Sequence, residues 1–193
     1  MVRRTAEEAE RTRATILDAA LEVFAERGVH AAQLEEIARR AGVTRGALYH
    51  HFDDKTELLL AVLKERWTTS MAPVLEPLRG GGGAESIRQF ARRFLECADS
   101  NPTVRALLKL SLSGELSALE GAGMADKSRA WGEWLALLDK NISCVTSRRD
   151  VRTASEGVLH ALLGYALWSS LFGPPRTRSY DIRCTQILKG ISS

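Results

Sequence analysis

Cysteine is scarce and poorly placed for a structural role. Cys97, Cys144 and Cys184 are odd in number, far apart and without a CxxC pair, and only four histidines accompany them. That excludes a disulfide framework or a zinc finger and suits a reducing cytoplasm, with the thiols as buried filler. No apolar run reaches the about 20 residues of a membrane span. The greasiest stretch, Gly157 to Leu171, is broken by His160, Ser169 and Ser170. The start, Met1-Val2-Arg3-Arg4-Thr5, has no apolar core of the kind a secretory leader needs, so the expected location is cytoplasmic. A surplus of one charge is missing too. The chain carries 27 basic and 24 acidic residues, and residues 1–55 carry nine and ten, a net of −1. Any nucleic-acid footprint must therefore be local. There is no nucleophile elbow, HExxH, phosphate loop or paired acid–base site, so the sequence does not read as an enzyme. We expect no metal and no cofactor. His50-His51 has no third ligand at useful spacing.

What is present is helical periodicity, with no period-two strand pattern and no internal repeat. Thr5-Ala6-Glu7-Glu8 reads as a capping box, followed by Ile16, Leu17, Ala20, Leu21 and Phe24 on one face, with Gly28 past the end. Leu34, Ile37, Ala38 and Ala41 mark a short second helix. Gly42-Val43 breaks it, and Thr44 caps a third containing Ala47, Leu48 and Phe52. Asp54 to Glu57 is a second capping box, opening a fourth helix with Leu58, Leu59, Val62 and Leu63 on one face, which Pro73 and Pro77 should kink or end. Gly80 to Gly83 reads as a surface linker, and Asn101-Pro102 as a stop. Helices follow around Val104 to Leu112, Trp131 to Leu138, Asp150 to Phe172 (ended by Gly173-Pro174-Pro175) and, capped by Ser179, Ile182 to Leu188; Gly114 to Gly123 is looser. The fold class is all-α, with a three-helix head over residues 1–53 and a helical bundle over 54–193.

Leu34 to Phe52 has the layout of a helix-turn-helix. Ala38 is small where two helices cross, Gly42 tolerates the turn's backbone, and Leu48 anchors the second helix on the first. The outer side then shows Thr44, Arg45, Gly46, Tyr49 and His50. Between Ile37 and Phe52 stand three arginines (Arg39, Arg40, Arg45) and no acid, the local positive surface that the overall charge hides. Arg45 suits a bidentate contact to guanine in the major groove. Thr44, Tyr49 and Lys55 suit phosphate oxygens, and Gly46 allows close backbone approach.

The run Ile16-Leu17-Asp18-Ala19-Ala20, then Phe24, Gly28, Ile37-Ala38, Ala41 to Phe52, Lys55 and Leu58, resembles the tetracycline-repressor family. Arg3 to Glu10 and the Thr-Arg-Gly-Ala run are similar to its multidrug-efflux branch. The likeness covers roughly the first 60 residues; beyond them the chain matches only in being helical. It implies a three-helix DNA-binding head, a ligand-binding and dimerising body, and repression relieved by a small molecule. It also implies DNA contacts from Thr44, Arg45, Gly46, Tyr49 and His50, with Lys55 at the start of the fourth helix. The slot before Leu34 is often Ser or Thr in the family, capping the second helix and touching phosphate. Here it is Gln33, a weaker cap. The slot of His50 is often aromatic.

In similar proteins an effector cavity is lined by helices corresponding to those that carry Trp67, Phe90, Phe94, Cys97, Trp131 and Trp134. Those residues are the expected pocket, suited to a small hydrophobic ligand, with plain core as the competing reading. The helix from Val151 to Phe172 is apolar nearly all round from Val158 onward and must be covered on both sides. Leu159, Leu163, Leu167, Leu171, Ile187 and Ile191 are the expected interface of a homodimer. The partners implied are a double-stranded DNA operator, the ligand and a second copy, and no membrane. The alternative is a ligand-independent regulator with a filled C-terminal core.

Overall fold

The computed structural model describes residues 6–112, 122–145, 150–173 and 180–192, and all the regular structure among them is helical. The order is α1 (Ala6–Arg27), α2 (Leu34–Arg40), α3 (Arg45–His51), α4 (Lys55–Ala61), a π turn (Val62–Arg66), α5 (Trp67–Gly80), α6 (Ala84–Ser100), α7 (Pro102–Leu112), α8 (Ala122–Ser143), α9 (Val151–Phe172) and α10 (Tyr180–Ser192). The expected caps at Thr5 and Ser179, the prolines 174 and 175, most of the Gly114–Gly123 stretch and the side chains of Leu188 and Ile191 lie outside the described residues.

The head is built from local signals. α1 ends where Gly28 takes φ 79° and its N–H donates to the Phe24 carbonyl at 2.9 Å. α2 and α3 have seven residues each, too short to persist alone. They stand because Ile37, Ala38 and Leu48 are buried against α1. Between them Gly42 sits at φ 67°, a conformation a Cβ would strain, and the Val43 N–H returns to the Ala38 carbonyl at 3.0 Å. Thr44 caps α3, its hydroxyl accepting from the Ala47 N–H at 3.1 Å. Asp54 caps α4 through the Glu57 N–H at 2.8 Å, while Glu57 reaches back to the Asp53 N–H at 2.6 Å.

Pro73 and Pro77 do not end the fourth helical stretch. α5 runs through both to Gly80. Pro77 cannot donate to the Pro73 carbonyl, and the Arg93 guanidinium on α6 supplies that hydrogen bond instead, at 2.6 Å. The irregularity falls earlier, in the π turn between α4 and α5. The glycine run is a tight turn rather than a loose linker. Gly81 is left-handed at φ 73°, the Ser86 hydroxyl accepts the Gly82 N–H at 2.9 Å, and Gly83 is buried.

Two apolar cores result. The head's core joins α1, α2 and α3 to Phe52, to Leu58 and Leu59 of α4, to Val62, and to Leu107 and Leu110 of α7. The body's core gathers α5, α6, α8, α9 and α10 around Phe90, Phe94, Trp134 and Leu138, and takes Val104 and Leu108 from the other side of α7. α7 thus lends one face to each core, and Trp67 packs against both. The Lys109 ammonium fastens α7 to the end of α1 by donating to the Ala25 carbonyl at 2.6 Å.

Candidate nucleic-acid interface

α3 is the surface helix of the head. Leu48 faces inward and fully buried, which turns Thr44, Arg45, Gly46, Tyr49 and His50 outward; all five are exposed. The sequence-predicted contact residues on this helix therefore share one face. The Arg45 guanidinium lies over the Tyr49 ring, 5.4 Å from its centroid, and pairs with Glu35 of α2 at 3.1 Å. Its hydrogen bond to the Tyr49 side chain, and next the Glu35 charge, hold it above the ordinary arginine range. Gly46 has only the Thr44 hydroxyl, at 4.0 Å, near the place a Cβ would occupy, so its outer side is open to an approaching backbone.

The positive surface read from the three arginines is thinner than their number. Arg40 is clamped by Glu26 through two hydrogen bonds of 2.8 and 2.9 Å, with Glu22 at 3.7 Å and Glu36 at 3.5 Å. The hydrogen bond to Arg40 keeps the Glu26 carboxyl below its usual range, and the same contact raises Arg40. Arg39 and Arg45 remain on the exposed side. None of the acids that hold Arg40 lies within three residues of it, which is why a reading along the chain missed them.

Gln33 is exposed at the N-cap of α2, where its side chain makes no capping bond. Lys55 sits at the start of α4 as expected. Its ammonium donates to the carbonyls of His30 (3.0 Å) and Ala32 (3.2 Å), pinning the loop between α1 and α2. His51 packs beside Phe52, ring centroids 6.3 Å apart.

The π turn carries the connection to the body. Glu65 pairs with Arg13 at 2.5 Å, and Arg13 lies over the Phe52 ring at 4.9 Å. Arg66 pairs with Asp18 at 2.7 Å and donates to the Ala14 carbonyl. Two consecutive π-turn residues are thus tied to α1, and the next residue is Trp67. In the body, Trp67 stacks on Trp134 (5.7 Å, 18° between planes) and meets Trp131 edge-on at 6.3 Å. Phe90 and Phe94 both meet Trp134 edge-on, at 6.1 and 6.2 Å. The five aromatic side chains read as a pocket form one contiguous cluster from α5, α6 and α8, and half-buried Cys97 packs against its core.

On α9, Leu159 faces the subunit's own core, Leu163 is half-buried, and Leu167 and Leu171 are exposed; Ile187 of α10 is half-buried. The sequence reading missed Trp168, Phe172 and Ile182, which are 58, 69 and 57% exposed on the same two helices. The Trp168 and Phe172 rings lie 4.5 Å apart. Behind this face Asp99 of α6, nearly buried, accepts hydrogen bonds from the hydroxyls of Tyr165 (2.6 Å), Ser169 (2.7 Å) and Tyr180 (3.1 Å), joining α6 to α9 and α10. The cysteines divide. Cys184 is buried and its thiol is pushed up to about 11 by burial, Cys97 is raised for the same reason, and Cys144 is exposed rather than buried. Asn141, in a glycosylation-like triplet, is buried and donates to the Leu78 and Leu137 carbonyls. Among the described residues no helix is long and apolar enough to cross a membrane, and no three His, Cys, Asp or Glu group to hold a metal ion.

Comparison with known proteins agrees with this geometry. Residues 16–62, which run from the core of α1 to the start of the π turn, match the profile of bacterial regulatory proteins of the tetR family. A stretch of 66 residues is 62% identical to the HTH-type transcriptional regulator SrpR of Pseudomonas putida, covering 34% of this chain and 31% of SrpR, so the match spans about a third of that relative. Over 93% of its length the chain has the fold of two solved regulators. One is FadR from Bacillus subtilis in complex with stearoyl-CoA (TM-score 0.75, 20% identity, 93% of this chain and 97% of that one). The other is AibR in complex with isovaleryl coenzyme A and operator DNA (TM-score 0.73, 18% identity, 93% and 97%). The helix-turn-helix head thus matches the tetR family of bacterial regulatory proteins over residues 16–62, and it is set on an all-helical body with the fold of these solved regulators.

Proposed function

We propose that the protein is a homodimeric DNA-binding regulator, a repressor that holds a palindromic operator and lets go when a small hydrophobic effector enters its body. The observation that carries this reading is the outer face of α3, where Thr44, Arg45, Gly46, Tyr49 and His50 stand exposed together on a helix fixed by a buried Leu48 and a hydroxyl cap. A helix so presented fits the major groove, with Arg45 on guanine and the others, with Gln33, near phosphates. Lys55 contributes by fixing the loop before α2 and leaves one ammonium proton for a phosphate. Two copies joined through α9 and α10 would present two such helices to one duplex.

The effector reading is supported by the aromatic cluster and by the ligands held by FadR and AibR. An effector pressing on Trp67 acts one residue from Arg66 and two from Glu65, the side chains fastened to α1. Displacing that segment would shift the head, and the ligand's preference for one head position sets the population. The close packing of Phe90, Phe94 and Trp134 favours the alternative, a regulator with a filled core that needs no ligand.

The direct test is selection of duplexes from a random-sequence pool by the full-length protein. The selected site should be two-fold symmetric with a guanine in each half, and Arg45→Ala should weaken binding to it by about 1–3 kcal/mol per half-site and relax preference at that guanine. A site without symmetry, or one that Arg45→Ala binds as well as wild type, refutes the reading.

A further inference from the structure

Glu35 is an acid in the first turn of α2, and its carboxylate stands 3.1 Å from the Arg45 guanidinium. Its placement is costly for a protein that approaches a polyanion, since phosphates repel it. Stability does not account for the pair. The two side chains are 53 and 63% exposed, and ion pairs that open to solvent contribute little to folding. The neighbouring acids are differently employed: Glu36 and Glu26 hold Arg40, and Glu36 also holds Arg27. Among the described residues, Glu35 pairs in this way with Arg45 alone.

The geometry around Arg45 gives the pair a use. The guanidinium is held on one side by the Glu35 carboxylate through one terminal nitrogen and flanked by the Tyr49 ring. A guanidinium has five N–H donors in a planar fork, so engaging one end leaves others for the N7 and O6 of guanine. An arginine free to rotate reaches a phosphate from many rotamers. One held at a fixed angle rewards only the base that meets it there, and its ordering cost is met before DNA arrives.

Taking α3 as the DNA-reading helix, as argued above, we infer that Glu35 is a positioning residue for sequence reading: it fixes the angle at which Arg45 meets guanine and, by its charge, disfavours collapse of that arginine onto phosphates. Removing its charge then moves two quantities in opposite directions. Binding to arbitrary DNA strengthens, while discrimination at the guanine weakens. A residue that merely supported the fold would change neither in this pattern.

The test uses the full-length wild-type protein, Glu35→Gln and Arg45→Ala. The probes are the duplex selected from the random pool, the same duplex with the Arg45-dependent guanine replaced, and the pool itself, titrated across salt concentration. Glu35→Gln should bind the pool severalfold more tightly at low salt, with a log–log salt slope steeper by about one per head, about two for the dimer. Its preference for guanine over the replaced base should fall about fourfold toward that of Arg45→Ala. Glu35→Gln within twofold of wild type on both measures overturns the inference. So does tighter binding to the pool with discrimination intact, which would leave Glu35 as a repulsive charge only. Arg45→Ala discriminating as well as wild type would remove the DNA-reading role of α3 itself, and this inference with it.

Discussion

Replacing Trp168 with serine tests the dimer, because this side chain is 58% exposed in a single copy and stands beside the exposed Phe172, on helices that also expose Leu167, Leu171 and Ile182. A large aromatic buries up to about 250 Å². Covering the exposed fraction of Trp168 removes about 145 Å² from water, about 3.6 kcal/mol at 25 cal/mol per Å², and two-fold symmetry doubles it to about 7 kcal/mol. A partner surface never covers everything, and association carries costs of its own, so about half of that, 3–4 kcal/mol, is the expected loss. Trp168→Ser should raise the dimer dissociation constant several hundredfold, by the rule of about 1.4 kcal/mol per tenfold. Folding should be little affected, since the side chain is mostly exposed and packs on the ring of Phe172, itself exposed. Sedimentation equilibrium over a concentration range, with circular dichroism as the folding control, measures both. A dissociation constant within threefold of wild type, or a wild-type chain that is monomeric at micromolar concentration, would refute the argument that this face seats a second copy.

Other predictions follow from the same structure. Asp99→Ala strands three hydroxyls, one of them on the buried Ser169, and should cost about 2–4 kcal/mol in urea unfolding; a double-mutant cycle with Ser169→Ala should show coupling of about 1 kcal/mol or more. Tyr165 is held above its ordinary range by burial, then by its hydrogen bond to Asp99 and that carboxylate's charge. Raised in the folded state, it contributes stability present in full below the unfolded value of about 10 and lost as pH rises beyond it. Wild type should therefore lose more stability between pH 9 and 11 than Tyr165→Phe, and equal losses would contradict the assignment. For coupling, Trp67→Ala should leave operator affinity within a few fold while abolishing its response to any effector that quenches the tryptophan emission of the wild-type protein; a full response in the variant would count against the route through the π turn.

Much of the head could be read along the chain because its decisive contacts are short in sequence. Thr44 and Asp54 cap within three residues, Gly28 and Gly42 take left-handed angles at helix ends, and Leu48 anchors α3 on its neighbour. What escaped depends on distant partners. Pro77 looks like a helix stop until Arg93 of α6 satisfies the carbonyl it strands. Arg40 looks like a DNA-facing charge until Glu22 and Glu26 of α1 fold against it. The π turn has no glycine or proline to announce it, and α7 shows an apolar pattern that does not say which side serves which core. On α9, apolar residues nearly all round gave no means of telling Leu159, which points inward, from Trp168 and Phe172, which point out. The aromatic cluster was found because similar proteins suggested which helices to compare, not because periodicity singled out its members.

The shared position of α7 has a consequence for engineering. A chimaera would graft this helix-turn-helix head onto another protein's body, and by count of helices alone the seam falls after Phe52. A cut there would leave the transplanted module without Leu107 and Leu110, which complete its interior, and would set a foreign helix against Ala25, whose carbonyl Lys109 holds. Working hybrids should need the receiving side of α7 rebuilt to suit the incoming module, which makes that single helix the unit of compatibility between donor and host.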